Sequence, residues 1–123
     1  MKTDITEIQA ILIGILNAQA PPLKVRSNSI MGFEVAGTKE TMQGKQKVDG
    51  MYFASIVPKP KDVRLYFFPI YTHPHKFDLS TELKKYLKGK SCFHIKKLDD
   101  ALETEIKAMV AKGVEIFRQE NWV

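Results

Sequence analysis

Apolar side chains recur at spacings of three and four from Thr3 to Ala20, fall to a spacing of two through the middle of the chain, and return to three and four after Leu98. This double change of period constrains the fold more than any other feature, because the two periods belong to helices and strands respectively. In the first stretch Ile5, Ile8, Ile11, Leu12, Ile15 and Leu16 share one helical face. Thr3 or Asp4 can cap its free N–H groups, and Pro21-Pro22 stops it, since proline disfavours the helical conformation in the residue before it. Ile13 lies off the stripe, so the helix is expected to be well covered. The last helix opens at Leu98-Asp99-Asp100 and buries Leu102, Ile106, Met109, Val110 and Phe117. Asp99, Asp100 and Glu103 suit the positive end of its dipole. Trp122 is placed to pin the tail.

Between the helical ends, Gly32, Gly37, Gly44 and Gly50 punctuate short runs such as Ser29 to Ala36 and Met51 to Val57. The second run predicts an antiparallel partner in Val63 to Ile70, joined through the rigid, polar Pro58-Lys59-Pro60-Lys61-Asp62. Alternation then places Val63, Leu65 and Phe67 on a core face and Arg64, Tyr66 and Phe68 on the other. Gly44 to Asp49 reads as a mobile loop. Ser80 can cap a second helix with Leu79, Leu83, Tyr86 and Leu87 on its buried stripe, and Gly89 is expected to close it in a left-handed conformation. Cys92 to Lys97 reads as a strand. These elements predict one α+β domain over residues 1–123, an antiparallel sheet packed on one face by the N-terminal and C-terminal helices.

An apolar share of 44% with 27% charged residues excludes a disordered or fibrous chain. The longest apolar run, Ile11 to Leu16, is too short to span a bilayer, and Asp4 and Glu7 precede it where a signal peptide carries cations. A cytoplasmic protein with no membrane contact is the expectation. A single cysteine, Cys92, cannot form an internal disulfide. The net charge of +5 is concentrated: residues 59–98 hold ten Lys/Arg against three Asp/Glu. Lys84, Lys85, Lys88, Lys90, Lys96 and Lys97 form the candidate basic surface, to which weak, salt-sensitive polyanion binding would be confined.

Four groups of residues suggest chemistry. Gly89-Lys90-Ser91 resembles the end of a phosphate loop, but Lys84 occupies the place of its first glycine, and here a helix precedes and a strand follows, the reverse of the order that aims N–H groups at phosphate. Cys92 and His94 share one strand face, with Phe93 and Ile95 on the other. Because Cys92 follows a helix C-terminus, a packed thiol is expected rather than a nucleophile. His73-Pro74-His75 with Cys92 and His94 would supply four ligands for zinc if the segments met. Finally, aromatic and basic residues interleave over Arg64, Tyr66, Phe67, Phe68 and Tyr71, a combination used to stack single-stranded bases.

The ordered stretches "MYFASIVPKPKDVRLYFFPIY", "KGKSCFHIKKLDDAL" and "ENWV" are similar to the YdhG-like family of small bacterial proteins, most of unknown function. The resemblance implies an α+β domain with terminal helices on an antiparallel sheet. Through the comparison of that family with frataxin-like proteins, it also implies a metal-linked accessory role in iron or iron–sulfur metabolism. A frataxin-like iron site is an acidic ridge, to which the first helix here contributes only Asp4 and Glu7.

No poised carboxylate pair, nucleotide-binding glycine fingerprint or nucleophile elbow is visible, so binding is expected rather than catalysis. The expected protein is an accessory module for a small ligand or a protein partner, monomeric or homodimeric, with Tyr66, Tyr71, His73 and His94 as candidate ligand-binding residues. No resident cofactor is expected. Iron or zinc held by His73, His75, Cys92 and His94 is the alternative, and weak nucleic-acid binding is a further one.

Overall fold

A computed structural model describes residues 1–123. The Asp4 carboxylate accepts the Glu7 N–H at 3.0 Å and starts α1, Ile5–Asn17, which buries Ile8, Leu12, Ile15 and Leu16. The helix ends one turn earlier than its apolar pattern, with Ala18 to Pro22 continuing as turns before the first strand.

Eight strands follow the expected antiparallel pairing with more divisions than the sequence suggested. β1 (Lys24–Ser29) and β2 (Gly32–Ala36) form a hairpin turning at Ile30-Met31, which splits the single run expected from Ser29 to Ala36. Residues 44–49, expected as a mobile loop, belong instead to a separate hairpin of β3 (Thr41–Gln43) and β4 (Gln46–Val48). Gly44 makes that turn at a φ of +64°, a conformation that costs a residue without Cβ little. β5 (Tyr52–Pro58) pairs with β6 (Val63–Phe67), and β6 with β8 (Cys92–Ile95). The two-residue β7 (Leu87–Lys88) completes a six-stranded sheet ordered β1-β2-β5-β6-β8-β7.

Phe68 to Ile70 leave the expected strand. The short helix α2, Phe68–Thr72, begins directly after β6 because Pro69 in its first turn suits a helix start and cannot serve a ladder. Ser80 does cap α3, Thr81–Tyr86, accepting the Leu83 N–H at 3.1 Å. Gly89 has the expected positive φ, +71°, for another reason: α3 has already ended, and Gly89 turns the chain between β7 and β8.

Cross-strand partners define the two faces. Phe33, Ile56, Leu65 and Phe93 lie in one row and Val35, Ala54 and Phe67 in another, all buried. Opposite Val35 and Ala36 the β5 register slips by one residue at Phe53. A bulge of this kind turns two successive side chains to the same side, which brings Phe53 into the core beside Ala54. Phe53 then meets Phe67 edge-to-face at 5.6 Å and Phe117 at 4.9 Å.

The final helix α4, Asp100–Gln119, is capped by Asp99, which accepts the Leu102 N–H at 2.8 Å. It lies beside α1 on that same face, and both helices feed one buried cluster with Leu83 of α3. The fold is thus α+β, with helices on one side of an antiparallel sheet. Trp122 ties down the tail: its carbonyl accepts the Thr38 N–H at 3.0 Å and its ring packs on Phe117 at 5.0 Å. No helix is long and apolar enough to cross a membrane.

Candidate functional site

With the helices gathered on one face, the other carries the polar half of each alternating strand: Glu34, Ser55, Arg64, Tyr66, Cys92 and His94, all half-buried. Tyr66 pairs with Cys92 and Arg64 with His94, so the two pairs that strand parity gave separately share one surface. Burial pushes the Cys92 thiol up, with a hydrogen bond to Tyr66 offsetting part of the rise. The group is a protonated thiol at neutral pH and a poor nucleophile. Tyr52 joins this face; its hydroxyl lies 2.7 Å from Ser55 Oγ, and burial raises its pKa to about 12.

Asp62 is the one buried charged residue. It comes from a turn whose polarity suggested exposure, but both of its oxygens have cationic or titratable neighbours. Oδ1 accepts from Arg64 Nε at 2.9 Å, and Oδ2 lies 3.7 Å from His94 Nδ1. Burial and the nearby Arg64 guanidinium lower the His94 pKa, against the opposing pull of Asp62. His94 thus lies beside this carboxylate and in no group of side chains that could hold a metal ion.

A cleft of about 810 Å³ opens at the end of the sheet where β7 turns into β8. α2, the short 3₁₀ turn Pro74–Lys76, the following loop and α3 close its other sides. Buried Ile70 and half-buried Phe77 and Leu87 provide its apolar surface, while Lys84, Lys90 and Asp78 are exposed beside it. Tyr71 is 53% exposed, stacks on Phe68 at 5.7 Å and has Lys90 Nζ 5.9 Å above its ring. Phe68 leads back to Tyr52 at 5.8 Å, so an aromatic line joins the cleft to the open sheet face.

The four candidate ligand-binding residues therefore separate. Tyr71 lines the cleft, and Tyr66 and His94 lie on the open sheet face. His73 packs on Trp122 at 6.1 Å with Nε2 3.4 Å from Glu120 Oε1. The zinc set of His73, His75, Cys92 and His94 is dispersed likewise: His75 is exposed in the 3₁₀ turn, and no three His, Cys, Asp or Glu side chains are grouped to hold an ion. The candidate lysines divide too. Lys84 and Lys90 line the cleft, Lys85 pairs with Glu82, and Lys88 and Lys97 are exposed elsewhere. Lys96 lies at the opposite end of β8, in a small polar pocket with Lys59, Lys61 and Arg64.

Ile70, Phe77 and Leu87 were not legible as cleft-lining residues, because apolar side chains at these positions look like ordinary core. Lys59, Lys61 and Arg64 carried a signal, the local surplus of positive charge, but not its focus. No family model, curated protein or solved structure matches the chain.

Proposed function

We propose that this chain is a cytoplasmic small-ligand-binding accessory module of YdhG-like type, taking a compact molecule with an aromatic or apolar body and an anionic group. The observation that carries this reading is the cleft beside Tyr71. Its volume of about 810 Å³ falls within the span of roughly 300–1,000 Å³ usual for small-molecule sites. Apolar side chains with two cations against one carboxylate, Asp78, favour such a ligand: Ile70, Phe77 and Leu87 would bury its body, and Lys84 and Lys90 would face its charge. The Tyr71 ring, half exposed and already braced by Phe68, offers a stacking surface without further ordering. The iron- or zinc-linked alternative has no grouped donor set to build on. The nucleic-acid alternative is weakened by the division of the basic residues between two ends of the sheet.

Titration of isotopically labelled protein with 2-naphthoate tests the reading. Saturable shifts should cluster on the amides of Tyr71, Phe77, Leu87 and Lys90, and Tyr71→Ala or Lys90→Gln should weaken binding several-fold. Shifts scattered over the surface, or none that saturate, would remove the cleft as the functional site.

A further inference from the structure

We propose that the polar pocket at the opposite end of the sheet is a second binding site, specific for a phosphoryl group. The reading is independent of the cleft. The turn between β5 and β6 supplies Lys59 and Lys61, β6 supplies Arg64, and Lys96 arrives because its neighbour Ile95 pairs with Val63. The topology thus brings four cations from three segments round a volume of about 320 Å³, with Pro60 its one apolar lining residue and Asp62 its one carboxylate. Lys59, Lys61 and Lys96 form no ion pair with any carboxylate. With the single carboxylate of Asp62 against four cations, the pocket keeps a net positive charge, and an anion among them relieves the remaining repulsion.

The carboxylate present does not fill this role. Asp62 is 5% exposed; its Oδ1 accepts from Arg64 Nε, and its Oδ2 lies 3.7 Å from His94 Nδ1. Its effect is to orient the guanidinium: with Nε bonded to Asp62 at 2.9 Å, the two terminal nitrogens of Arg64 donate to no protein atom and remain free for a ligand. Lys59 N–H donates to the Asp62 carbonyl at 2.9 Å, so the backbone of the turn is fixed as well. A planar pair of N–H donors set in advance, with flexible ammonium groups around it, suits a tetrahedral oxyanion that accepts bonds in several directions. A single carboxylate would leave most of these donors unused. The pocket also lacks aromatic side chains on which bases could stack, which favours a compact phosphoryl group over a nucleic-acid strand.

Calorimetric titration of the whole chain at low salt, with inorganic phosphate, inorganic pyrophosphate and glycerol 3-phosphate in separate arms, tests the assignment. One-to-one saturable binding is expected. A free ion as natural ligand would favour the first two probes, and a phosphomonoester would favour the third. Arg64→Gln should weaken binding by about tenfold or more, since it removes the oriented donors. Lys59→Gln combined with Lys61→Gln, both on an exposed turn whose loss of charge leaves the core intact, should weaken it several-fold, and Lys45→Gln on the exposed turn between β3 and β4 should leave it unchanged. No saturable binding of any of the three probes, or affinity unaltered by the Lys59/Lys61 pair, would overturn the proposal. So would equal competition by chloride at the same ionic strength.

Discussion

Replacing Gly113 by alanine should destabilise the protein, although the same change would stabilise an isolated helix. Gly113 lies inside α4, where glycine costs about 1 kcal/mol relative to alanine, so removing it would help if space were available. Space is absent. A Cβ built on Gly113 falls 2.7 Å from Phe67 Cζ, 3.1 Å from Phe67 Cε1 and 3.1 Å from Phe53 Cζ. Favourable carbon contacts begin near about 3.5 Å, so all three would have to lengthen. The rings have nowhere to go: both phenylalanines are fully buried, and Phe67 is wedged edge-on between Phe53 at 5.6 Å and Phe77 at 5.5 Å. Overpacking of this kind costs about 1–3 kcal/mol, and three simultaneous contacts with rigid rings place it at the upper end. After the helix-propensity gain is deducted, a net loss of about 1–2 kcal/mol remains. Urea unfolding followed by circular dichroism measures it. Ala111→Gly, at an exposed position of the same helix, calibrates the propensity difference. Adding Phe67→Leu should recover part of the Gly113→Ala loss, because the shorter side chain vacates the space the methyl needs. A Gly113→Ala midpoint equal to or above the parent's, at unchanged denaturant slope, would refute the close packing of α4 on this ring.

How much of this arrangement could be read from the chain depends on whether a local period was enough. The α4 stripe from Leu102 to Phe117 and the alternation of Val63, Leu65 and Phe67 are local, and each residue is buried as expected. The division of Phe93 and Ile95 from Cys92 and His94 follows from the same rule. Period two failed at Phe53, where the β5 bulge turns an additional aromatic side chain inward, and one inserted residue leaves no mark in an apolar run. It failed again at Phe68, because an apolar sequence continues unbroken across the change from β6 to α2 and only Pro69 marks it. Asp62 sits in a turn read as too polar for a core; Arg64, two residues on, is a local partner, but His94 comes beside it only through the pairing of β6 with β8. The candidate site residues lie apart for the same physical reason. Tyr66 and His94 are united by strand parity, but His73 is drawn to the tail by Trp122 and Glu120, and the cleft at Tyr71 is assembled from segments whose proximity no local pattern encodes.

Two further predictions concern the open sheet face, where ionisation reports on burial. Cys92 should react with a thiol reagent at neutral pH at least about tenfold more slowly in the native protein than in the urea-unfolded chain, because burial raises its pKa and half-covers the sulfur. Native reactivity at or above the unfolded rate would show an activated thiolate instead. Tyr52 should make the fold sensitive to alkali. Its hydroxyl is hydrogen-bonded to Ser55, and burial raises its pKa from 10.0 to about 12. Between those values the unfolded chain has released a proton that the native state still holds, so the stability Tyr52 contributes is fully present below pH 10 and lost as pH rises through about 12. Tyr52→Phe has no phenol to ionise and should show a shallower decline in urea midpoint over the same interval, while every other titrating group remains as in the parent. If the two curves fall in parallel from pH 10 to about 12, Tyr52 ionises alike in both states, and its phenol is not shielded by Ser55 and Phe68 as the structure requires.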